Sequence, residues 1–322
     1  MSNGVLDCIE TEMKRIDEVI DGICESGNRE LTEMCHYVLN NHGKRLRPAM
    51  AVLSYRCLGG EDIESIARIA AAVEVIHNAT LIHDDINDEG ELRRGAKALY
   101  REYSLGKSIV AGDYLYAMGF RLIGATSPTI VDFVIDAAVG LAGGEFDQKD
   151  YEHNVAVDEV EYIKIIGGKT ARLFQASARC GAYHAGPEDF GDIQALGDYA
   201  YHAGHAFQVV DDLLDVIGDG DVTGKGTGND ILEGKPTIPT IYAMDDPEFG
   251  PRVREIFENP RSTREDSDEA VRLIRNTDAI ERSFALADRF ADMAKSDIAG
   301  LPESQYKDSL IGLVDYIVKR DR

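Results

Sequence analysis

Apolar residues recur with helical spacing along most of the chain. The segment from Ile63 to Asp85, IESIARIAAAVEVIHNATLIHDD, is apolar on most sides of a helix, which predicts a helix buried in the core. Similar runs cover Ser108–Thr126, Thr129–Asp147, Val157–Ala185, Asp189–Ile217, Ala279–Ala299 and Tyr306–Lys319. Because helices this long and apolar must bury their faces against one another, the pattern predicts an all-α fold, a bundle of packed helices.

Glycine and proline separate these runs, as at Gly59-Gly60, Ser127-Pro128 and Gly186-Pro187. The signal for a β-hairpin, alternating β-branched residues around Asn-Gly or Asp-Gly, is absent. Two weaker regions are a glycine-rich loop at residues 218–230 and a polar, proline-containing stretch at residues 244–270, which we expect at the periphery. Residues of chemical interest lie on both sides of the glycine-rich loop. It is therefore not a domain linker, and a single domain is predicted over residues 1–322.

Composition narrows the range of partners. The chain has 322 residues, a hydrophobic fraction of 44%, and 58 acidic against 34 basic residues, for a formal net charge of −24. The field of such a surface repels nucleic acid and anionic membranes, so neither is expected as a partner. The same acidity suits a salt-rich cytoplasm, although many ordinary soluble proteins are acidic as well.

The cysteines and the N-terminus indicate the compartment. The five cysteines are odd in number and show no CxxC spacing, which argues against a disulfide framework or a zinc site and favours a reducing compartment. The first residues, MSNGVLDCIETEMKR, lack the basic and apolar regions of a signal peptide. The longest apolar stretch, Ile63–Ile82, contains charged residues and a histidine, so no transmembrane segment is expected. We expect a cytoplasmic protein.

Two acidic clusters share one spacing, DDxxD, and each comes in the last part of an apolar helical run. The first cluster is Asp84, Asp85 and Asp88, and the second is Asp211, Asp212 and Asp215. Residues four apart lie on one face of a helix, so each cluster gathers three carboxylates at one edge. Carboxylates at a helix C-terminus oppose the macrodipole and repel one another, so both locations favour a bound cation.

Magnesium suits such clusters. This ion prefers oxygen ligands and is commonly held by one or two carboxylates together with substrate phosphates. One DDxxD in so acidic a chain is explained equally well as a solvated acidic face. Two of them, each after a long apolar helix, favour two metal-binding walls that clamp a diphosphate.

Basic residues recur close to these clusters in sequence, and arginine and lysine are the usual partners of phosphate oxygens. They are Lys44, Arg45 and Arg47 in GKRLRP, Arg93 and Arg94, Lys169 next to Thr170, and Lys225 and Lys235. Any single pair of this kind is commonly a solvated surface pair. His77, two helical turns before Asp84, is commonly a core residue. Their repeated occurrence beside the aspartates favours a phosphate site.

Together these segments resemble the trans-isoprenyl diphosphate synthases, also called polyprenyl synthetases. The matching segments are GKRLRP at residues 43–48, VEVIHNATLIHDDINDEGELRRG at 73–95, GGKTARLF at 167–174, GHAFQVVDDLLDV at 204–216 and GKGTGNDILEGKPTIP at 224–239. The resemblance implies an all-helical bundle around a deep central apolar cavity, normally assembled as a homodimer. It also implies condensation of isopentenyl diphosphate with an allylic diphosphate.

The resemblance implies a role for each matched position. The six aspartates would bind Mg²⁺, two or three ions in all. Arg93, Lys169, Lys225 and Lys235 would hold the allylic diphosphate, and Thr170 and Gln208 would lie close to the reacting carbons. Lys44, Arg47, His77 and Arg94 would hold isopentenyl diphosphate. The catalytic candidates are Asp84, Asp85, Asp88, Asp211, Asp212, Lys169 and Gln208.

The chain departs from the family pattern in two places. After RRG the family usually has x-P-T-x-H, where this chain has Ala96, Lys97, Ala98, Leu99 and Tyr100. The usual G-Q-x-x-D, aligned with residues 143–147 (GGEFD), lacks its glutamine. Neither change touches a proposed metal ligand, but both put the packing around the site in question.

Metal ions would draw charge from the allylic diphosphate as its carbon–oxygen bond breaks, and fixed cations would stabilise the departing group. The double bond of isopentenyl diphosphate would then attack the allylic cation, and loss of a proton would leave a chain five carbons longer. Water must be excluded from such a site, or it would quench the cation.

Product length depends on the depth available to the growing chain along the helix before Asp84. Ala79 and Thr80, one turn before Asp84, are small, whereas bulky aromatics there resemble the shallow floor of short-chain synthases. We therefore expect a product beyond fifteen carbons, with twenty favoured and a longer polyprenyl chain second. Candidates for the floor are Ile76 and Val75 on the same helix, or Tyr114, Tyr116 and Met118 on the next, although each is individually more typical of ordinary core packing.

Two other classes of protein fit parts of the pattern. A class I terpene cyclase also ionises allylic diphosphates with a DDxxD, but normally carries an asparagine/serine/glutamate triad where this chain has DDLLD. An inactive helical partner subunit should lack one aspartate cluster, and here both are complete.

Overall fold

The computed structural model describes residues 4–40, 43–187, 189–218 and 227–319. Within them the chain is helical almost throughout, which confirms the all-α prediction. The helices are α1 (Glu10–Cys24), α2 (Arg29–Leu39), α3 (Leu46–Cys57), α4 (Ile63–Asn87), α5 (Leu99–Glu102), α6 (Leu105–Ile123), α7 (Pro128–Asp150), α8 (Glu159–Ile166), α9 (Arg172–His184), α10 (Phe190–Ile217), α11 (Asn229–Leu232), α12 (Ile238–Ala243), α13 (Gly250–Glu258), α14 (Arg264–Ile274), α15 (Ala279–Asp297) and α16 (Gln305–Lys319). A 3-10 helix at Asp7–Ile9 precedes α1, and a π-helical turn at Gly167–Ala171 separates α8 from α9.

The long helices agree with the periodicity of the sequence, and the shorter ones were missed. The predicted run at Val157–Ala185 is divided into α8, the π turn and α9. The polar stretch at residues 244–270 contains α13 and the start of α14. Charged residues obscure the pattern there, yet α13 still buries Val253, Ile256 and Phe257 along one face.

A small β-hairpin interrupts the helices directly after α4. Strands β1 (Leu92–Arg93) and β2 (Ala96–Lys97) pair antiparallel. The two residues between them, Arg94 and Gly95, both have positive φ, 52° and 80°, as a type I′ turn requires. The sequence offered Arg-Gly rather than Asn-Gly at this turn, so the hairpin was not expected.

The described chain groups into two compact units, each assembled from segments that are separate in sequence. Unit 1 comprises Met1–Asp136, Leu173–Ala200 and Ile298–Gly312. Unit 2 comprises Ala137–Arg172, Tyr201–Asp297 and Leu313–Arg322.

The core of unit 1 is built around α4, which packs against α1, α3 and α6. The side chain of Asp62 caps its N-terminus by accepting hydrogen bonds from the backbone N–H groups of Glu64 and Ser65. Apolar residues cover the helix on all sides, and Ile66, for example, is fully buried. This packing fixes the position of the aspartates at the C-terminal end of α4.

In unit 2, α12 packs against α15, and α8 begins with a capping box in which Asp158 and Glu161 exchange side-chain-to-backbone hydrogen bonds. The unit 2 part of α10, from Tyr201 to Ile217, buries Val209, Leu213 and Val216. These residues anchor the helix turns that carry the second aspartate cluster.

Within the described residues, α4 alone combines the length and the apolar composition that a membrane-crossing helix needs. Of its apolar window, 78% is buried inside the protein, which is the behaviour of a core helix.

Candidate active-site residues

The first aspartate cluster occupies the last turn of α4. Asp84 is partly buried, Asp85 is only 6% exposed, and Asp88 is the C-cap residue. The backbone N–H of Asp88 donates to the carbonyl of Asp84 at 2.9 Å, so the turn is closed in the usual way. The predicted placement of three carboxylates at one helix end is confirmed.

Asp85 differs from its neighbours because it is bound to Arg93 of the hairpin. Its Oδ1 accepts hydrogen bonds from Nε of Arg93, at 2.7 Å, and from Nη2 of the same guanidinium. Asp85, predicted to bind metal, and Arg93, predicted to bind the allylic diphosphate, therefore contact each other directly. The pair fixes the position of β1 relative to the end of α4.

Arg47 and His77, two of the residues that the resemblance assigns to isopentenyl diphosphate, also lie together in unit 1. Nη1 of Arg47 is 3.0 Å from Nε2 of His77, and the guanidinium lies 4.4 Å from the centre of the Phe174 ring. Burial, followed by the charge of Arg47, lowers the pKa of His77 well below its ordinary value. Since a guanidinium can only donate, Nε2 of a neutral His77 accepts this bond.

Arg94 faces a different partner from Arg93. Its Nη1 lies 3.5 Å from Oδ1 of Asn78, one turn and a half before Asp84 on α4. A pocket opens here between α4 and the hairpin, lined by Tyr37, Val38, Asn78, Leu81, Ile82, Asp85, Arg93, Arg94, Lys97 and Leu99.

The chain-length candidates lie where α4 packs against α6. Ala79 is fully buried, and the hydroxyl of Thr80 donates to the carbonyl of His77 at 2.7 Å. Ile76 lies against Gly119, where an added Cβ would come within 2.5 Å of its Cγ1. The Tyr116 ring stacks between His83 and Phe120, with ring centres 6.2 and 6.4 Å away.

The second aspartate cluster lies in the last turns of α10, in unit 2. Asp212 is 6% exposed, and it accepts hydrogen bonds from the Tyr162 hydroxyl at 2.6 Å and from Nε2 of Gln208 at 2.8 Å. Burial, with the charges of Asp211 and Asp215, raises the pKa of Asp212 to about 7 even though both hydrogen bonds lower it. Asp211 itself is exposed.

Asp215 holds the start of α11. Its two carboxylate oxygens accept hydrogen bonds, both at 3.1 Å, from the backbone N–H groups of Asn229 and Asp230. Asp230 is itself partly buried. Burial, followed by the charges of Asp215 and Asp212, raises its pKa well above the ordinary value. The acidic group in unit 2 therefore has a fourth member that the DDxxD spacing did not reveal.

Lys169 lies in the π turn between two side chains of α7. Its Nζ donates to Oε1 of Gln148 at 2.6 Å and lies 2.7 Å from Oε2 of Glu145. Glu145 is 9% exposed, and its oxygens receive no well-aligned hydrogen bond within the described residues. The backbones of α7 and the π turn approach closely here, because an added Cβ on Gly144 would lie 2.5 Å from the backbone nitrogen of Lys169.

This contact bears on the glutamine that is missing from the segment compared with G-Q-x-x-D. Of the five residues compared with G-Q-x-x-D, Asp147 pairs with the exposed Lys164 at 2.8 Å. Gln148, one residue beyond that segment, supplies the amide oxygen. The other departure is also accommodated, because Ala98 and Leu99 are buried, at 0% and 4% exposed, as α5 begins.

Thr170 and Gln208 continue the chain of hydrogen bonds to Asp212. The Thr170 hydroxyl donates to Oε1 of Gln208 at 2.7 Å, and the amide nitrogen of Gln208 donates to Asp212. These two bonds fix the orientation of the Gln208 amide, with its oxygen toward Thr170 and its nitrogen toward Asp212.

The two lysines predicted after the second aspartate cluster have different outcomes. Lys235 is buried and pairs with Glu233 at 2.6 Å. Lys225 lies outside the described residues.

The carboxylates of unit 2 fit a divalent cation. Oxygen donors are what Mg²⁺ prefers, and buried carboxylates with raised pKa values are unfavourable as anions unless a cation compensates them. Across residues 4–319, leaving aside the gaps in the described chain, no three His, Cys, Asp or Glu side chains form a ready-made metal cage. That arrangement agrees with an ion that takes one or two carboxylates and completes its shell with water and phosphate.

Several residues at these positions carried no sequence signal of their own. Tyr162, Glu145 and Asp230 meet their partners only through folding. Tyr162 lies 50 residues from Asp212, Glu145 lies 24 from Lys169, and Asp230 lies 15 from Asp215. The DDxxD spacing could be recognised because its members share one helix.

Comparison with known proteins agrees with these observations. A family model described as polyprenyl synthetase matches residues 28–274. The chain is 36% identical over 299 residues to the octaprenyl diphosphate synthase of Escherichia coli (strain K12), covering 91% of this chain and 90% of the relative. It is 33% identical over 324 residues to the geranylgeranyl pyrophosphate synthase of Geoglobus acetivorans, covering 98% and 99%.

A solved structure is similar over almost the whole length. It is a polyprenyl synthase from Caulobacter crescentus CB15 complexed with calcium and isoprenyl diphosphate, with a TM-score of 0.94 and 33% identity, covering 99% of this chain and 97% of that one. The chain therefore belongs to the polyprenyl synthetase family and is a trans-prenyltransferase of the isoprenyl diphosphate synthase class.

Proposed function

We propose that this enzyme condenses isopentenyl diphosphate head-to-tail with dimethylallyl, geranyl or farnesyl diphosphate, assisted by Mg²⁺, to an all-trans product of about twenty carbons. The observation that carries the proposal is the acidic group around Asp212, whose buried carboxylates have raised pKa values and oxygen donors suited to a divalent ion. A divalent ion also occurs in the similar C. crescentus structure, which holds calcium together with isoprenyl diphosphate.

Each aspartate cluster has a proposed part in binding metal. Asp84 and Asp88 of unit 1, and Asp211 and Asp212 of unit 2, would hold Mg²⁺, which when bound draws charge from the diphosphate as the allylic carbon–oxygen bond breaks. Asp85 and Asp215 are engaged by Arg93 and by the start of α11, so they contribute first by fixing the two sites.

The remaining polar residues bind and orient the substrates. Lys169 is held in place by its hydrogen bond to Gln148 and its ion pair with Glu145, and it binds the leaving diphosphate as a fixed cation. Arg47, His77, Lys44 and Arg94 bind the diphosphate of isopentenyl diphosphate, which keeps its double bond beside the allylic carbon. One carbon–carbon bond forms, one carbon–oxygen bond breaks, and one proton is lost.

The twenty-carbon product rests on the residues before Asp84. Ala79 and Thr80 are small, and Ile76 on Gly119 and the Tyr116 ring are the next bulky groups between α4 and α6. A longer product is the second candidate, because the similar E. coli protein is an octaprenyl synthase. The similar G. acetivorans protein is a geranylgeranyl pyrophosphate synthase, which supports the twenty-carbon product.

Product analysis tests the proposal. The enzyme is incubated with labelled isopentenyl diphosphate and each allylic starter, with magnesium and then with a chelator, and the products are measured by mass spectrometry. Magnesium-dependent formation of a chain of about twenty carbons supports the proposal. A fifteen-carbon main product contradicts the argument from small residues, and a chain above thirty carbons supports the second candidate. Turnover of the allylic substrate without isopentenyl diphosphate would indicate a cyclase instead.

A homodimer is proposed as the working form. Exposed apolar residues recur along one face of α7, where Ile135, Val139 and Phe146 are 42%, 68% and 75% exposed. A second copy of this chain is the partner that the family resemblance suggests for such a surface. Light scattering after size exclusion tests it, and Val139→Glu should convert the dimer to a monomer.

A further inference from the structure

A buried carboxylate on α4 lies behind the cations assigned to isopentenyl diphosphate. Glu74 is 2% exposed, and its Oε1 accepts hydrogen bonds from Nη1 of Arg45, at 3.0 Å, and from Nδ2 of Asn78, at 3.1 Å. Asn78 in turn faces Arg94 through its carboxamide oxygen. One carboxylate therefore links the GKRLRP segment to the hairpin, and all four residues belong to unit 1.

The two arginines in this network share an uncommon backbone conformation. Arg45 has a φ of 49° and Arg94 a φ of 52°. Left-handed backbone at a residue other than glycine is unfavourable, and it persists only where the surrounding contacts hold it. The side chain of Arg45 bonds to Glu74 and that of Arg94 faces Asn78, so this pair of residues supplies contacts that hold both arginines.

The conformation of Arg45 determines where its neighbours point. Arg45 is the N-cap residue of α3, and its own side chain turns inward, where Nη2 also donates to the carbonyl of Leu39 at 3.1 Å. Lys44 and Arg47, on either side, are less buried than Arg45, and Arg47 contacts His77. The inward arginine thus anchors a segment whose other cations are available to a ligand.

We propose that Glu74 is a positioning residue for isopentenyl diphosphate: by fixing Arg45 directly and Arg94 through Asn78, it holds Lys44, Arg47 and Arg94 in place before the diphosphate arrives. The inference rests on the proposed function, since it takes these cations to bind that substrate. A fixed cation binds an oxyanion better than a mobile one, because its orientation need not be ordered during binding.

The variant Glu74→Gln tests the role of the charge. The glutamine oxygen can still accept both hydrogen bonds, so the shape of the network is kept while its charge is lost. We expect the KM for isopentenyl diphosphate to rise about tenfold, with kcat and the KM for the allylic substrate within about twofold of the parent enzyme. A merely structural role would change both KM values together or only the thermal stability.

Two further variants keep the test decisive. If Glu74→Gln does not fold because the buried Arg45 then keeps only the half-exposed carboxylate of Asp17, 3.4 Å from its Nη2, the double variant Arg45→Gln/Glu74→Gln removes both charges of the Arg45–Glu74 pair and should show the same selective rise in KM. Glu12→Gln is the matched control, because Glu12 forms a comparable buried ion pair with Arg56, with Nε of Arg56 2.6 Å from Oε1, away from the assigned cations. It should lower stability and leave both KM values unchanged.

The outcomes separate the two levels of inference. Arg94→Gln is measured alongside. If Arg94→Gln raises the KM for isopentenyl diphosphate and neither Glu74 variant does, Glu74 has no positioning role and the proposed function stands. If none of the three variants affects that KM, the assignment of these cations to isopentenyl diphosphate is wrong as well.

Discussion

The hydroxyl of Tyr162 donates a hydrogen bond of 2.6 Å to Oδ2 of Asp212, in the interior of unit 2. This bond favours the ionised carboxyl, and it opposes the burial that raises the pKa of Asp212 to about 7. Tyr162→Phe should therefore raise that pKa further and reduce the fraction of Asp212 able to bind metal near neutral pH. We expect the Mg²⁺ concentration for half-maximal activity to rise about tenfold at about pH 7 and to approach the parent value near pH 9.

Tyr199→Phe is the matched control for that experiment. Tyr199 is also fully buried and donates from its hydroxyl, to the carbonyl of Leu310 at 2.7 Å. Its loss should reduce stability without changing the magnesium requirement. Equal effects of the two variants on magnesium would show that Tyr162 acts through packing alone.

The raised pKa of Asp212 also predicts how stability varies with pH. The ordinary pKa is 3.8 and the folded value is about 7, so between these values the folded protein binds more protons than the unfolded chain. Stability of the metal-free protein should fall as pH rises through this window. The charges of Asp211 and Asp215 add to burial in raising the pKa of Asp212, and the hydrogen bonds from Tyr162 and Gln208 lower it. Burial also raises the pKa of Asp230, which acts on stability in the same direction as Asp212.

Magnesium should reverse this dependence, because it binds the ionised carboxyls and adds binding free energy to the folded state. Thermal unfolding between about pH 5 and pH 9, with chelator and with magnesium, measures both effects. Asp212→Asn should flatten the profile in chelator. A metal-free protein whose stability instead increases steadily across that range would contradict the assignment of the raised pKa.

Both aspartate clusters are expected to be required for turnover. Asp84→Ala and Asp212→Ala should each reduce kcat by about a hundredfold or more, since each removes a proposed metal ligand. Asp245→Ala is the control, because Asp245 is 63% exposed and pairs only at the surface with Arg254. Full activity in both cluster variants would refute the metal sites.

The close contact at Lys169 predicts a strong effect from one methyl group. An added Cβ at Gly144 would lie 2.5 Å from the backbone nitrogen of Lys169 and 3.0 Å from the carbonyl oxygen of Ile165, so the π turn must shift. Gly144→Ala should lower kcat about tenfold to a hundredfold, since displacement by about an ångström is costly in a catalytic site. Gly143→Ala is the control, because a Cβ there meets nothing within 4 Å. It should keep activity and stabilise α7 slightly.

Product length should respond to the ring of Tyr116. Tyr116→Ala opens space between His83 and Phe120, so the product distribution should shift to longer chains. Tyr114→Ala tests the specificity of that effect, because the Tyr114 hydroxyl bonds to the Ile23 carbonyl at 3.2 Å, toward α1. An unchanged product distribution in Tyr116→Ala would show that other residues form the floor of the product cavity.

The sequence reveals features whose members lie on one helix. The spacing of Asp84, Asp85 and Asp88 and the apolar run before them could be read directly, because helical geometry converts spacing into proximity. The same holds for His77, two turns earlier. Family resemblance then supplied roles for the basic residues.

Contacts between segments that are distant in sequence could not be predicted from spacing. Glu74 and Arg45 are 29 residues apart, and the pair exists only because α3 and α4 pack together. Glu145 reaches Lys169 because small residues let α7 approach the π turn. The hairpin turn was missed for a local reason, since arginine rarely occupies the left-handed position that Arg94 takes there.

The hairpin gives the neighbouring arginines Arg93 and Arg94 separate assignments. Arg93 is the last residue of β1 and Arg94 is the first residue of the turn, so the turn geometry sends their side chains in different directions. One guanidinium is thereby committed to the carboxylate of Asp85 and the other to the amide of Asn78. Neither can replace the other when one is lost, because each is held at its own place on the hairpin.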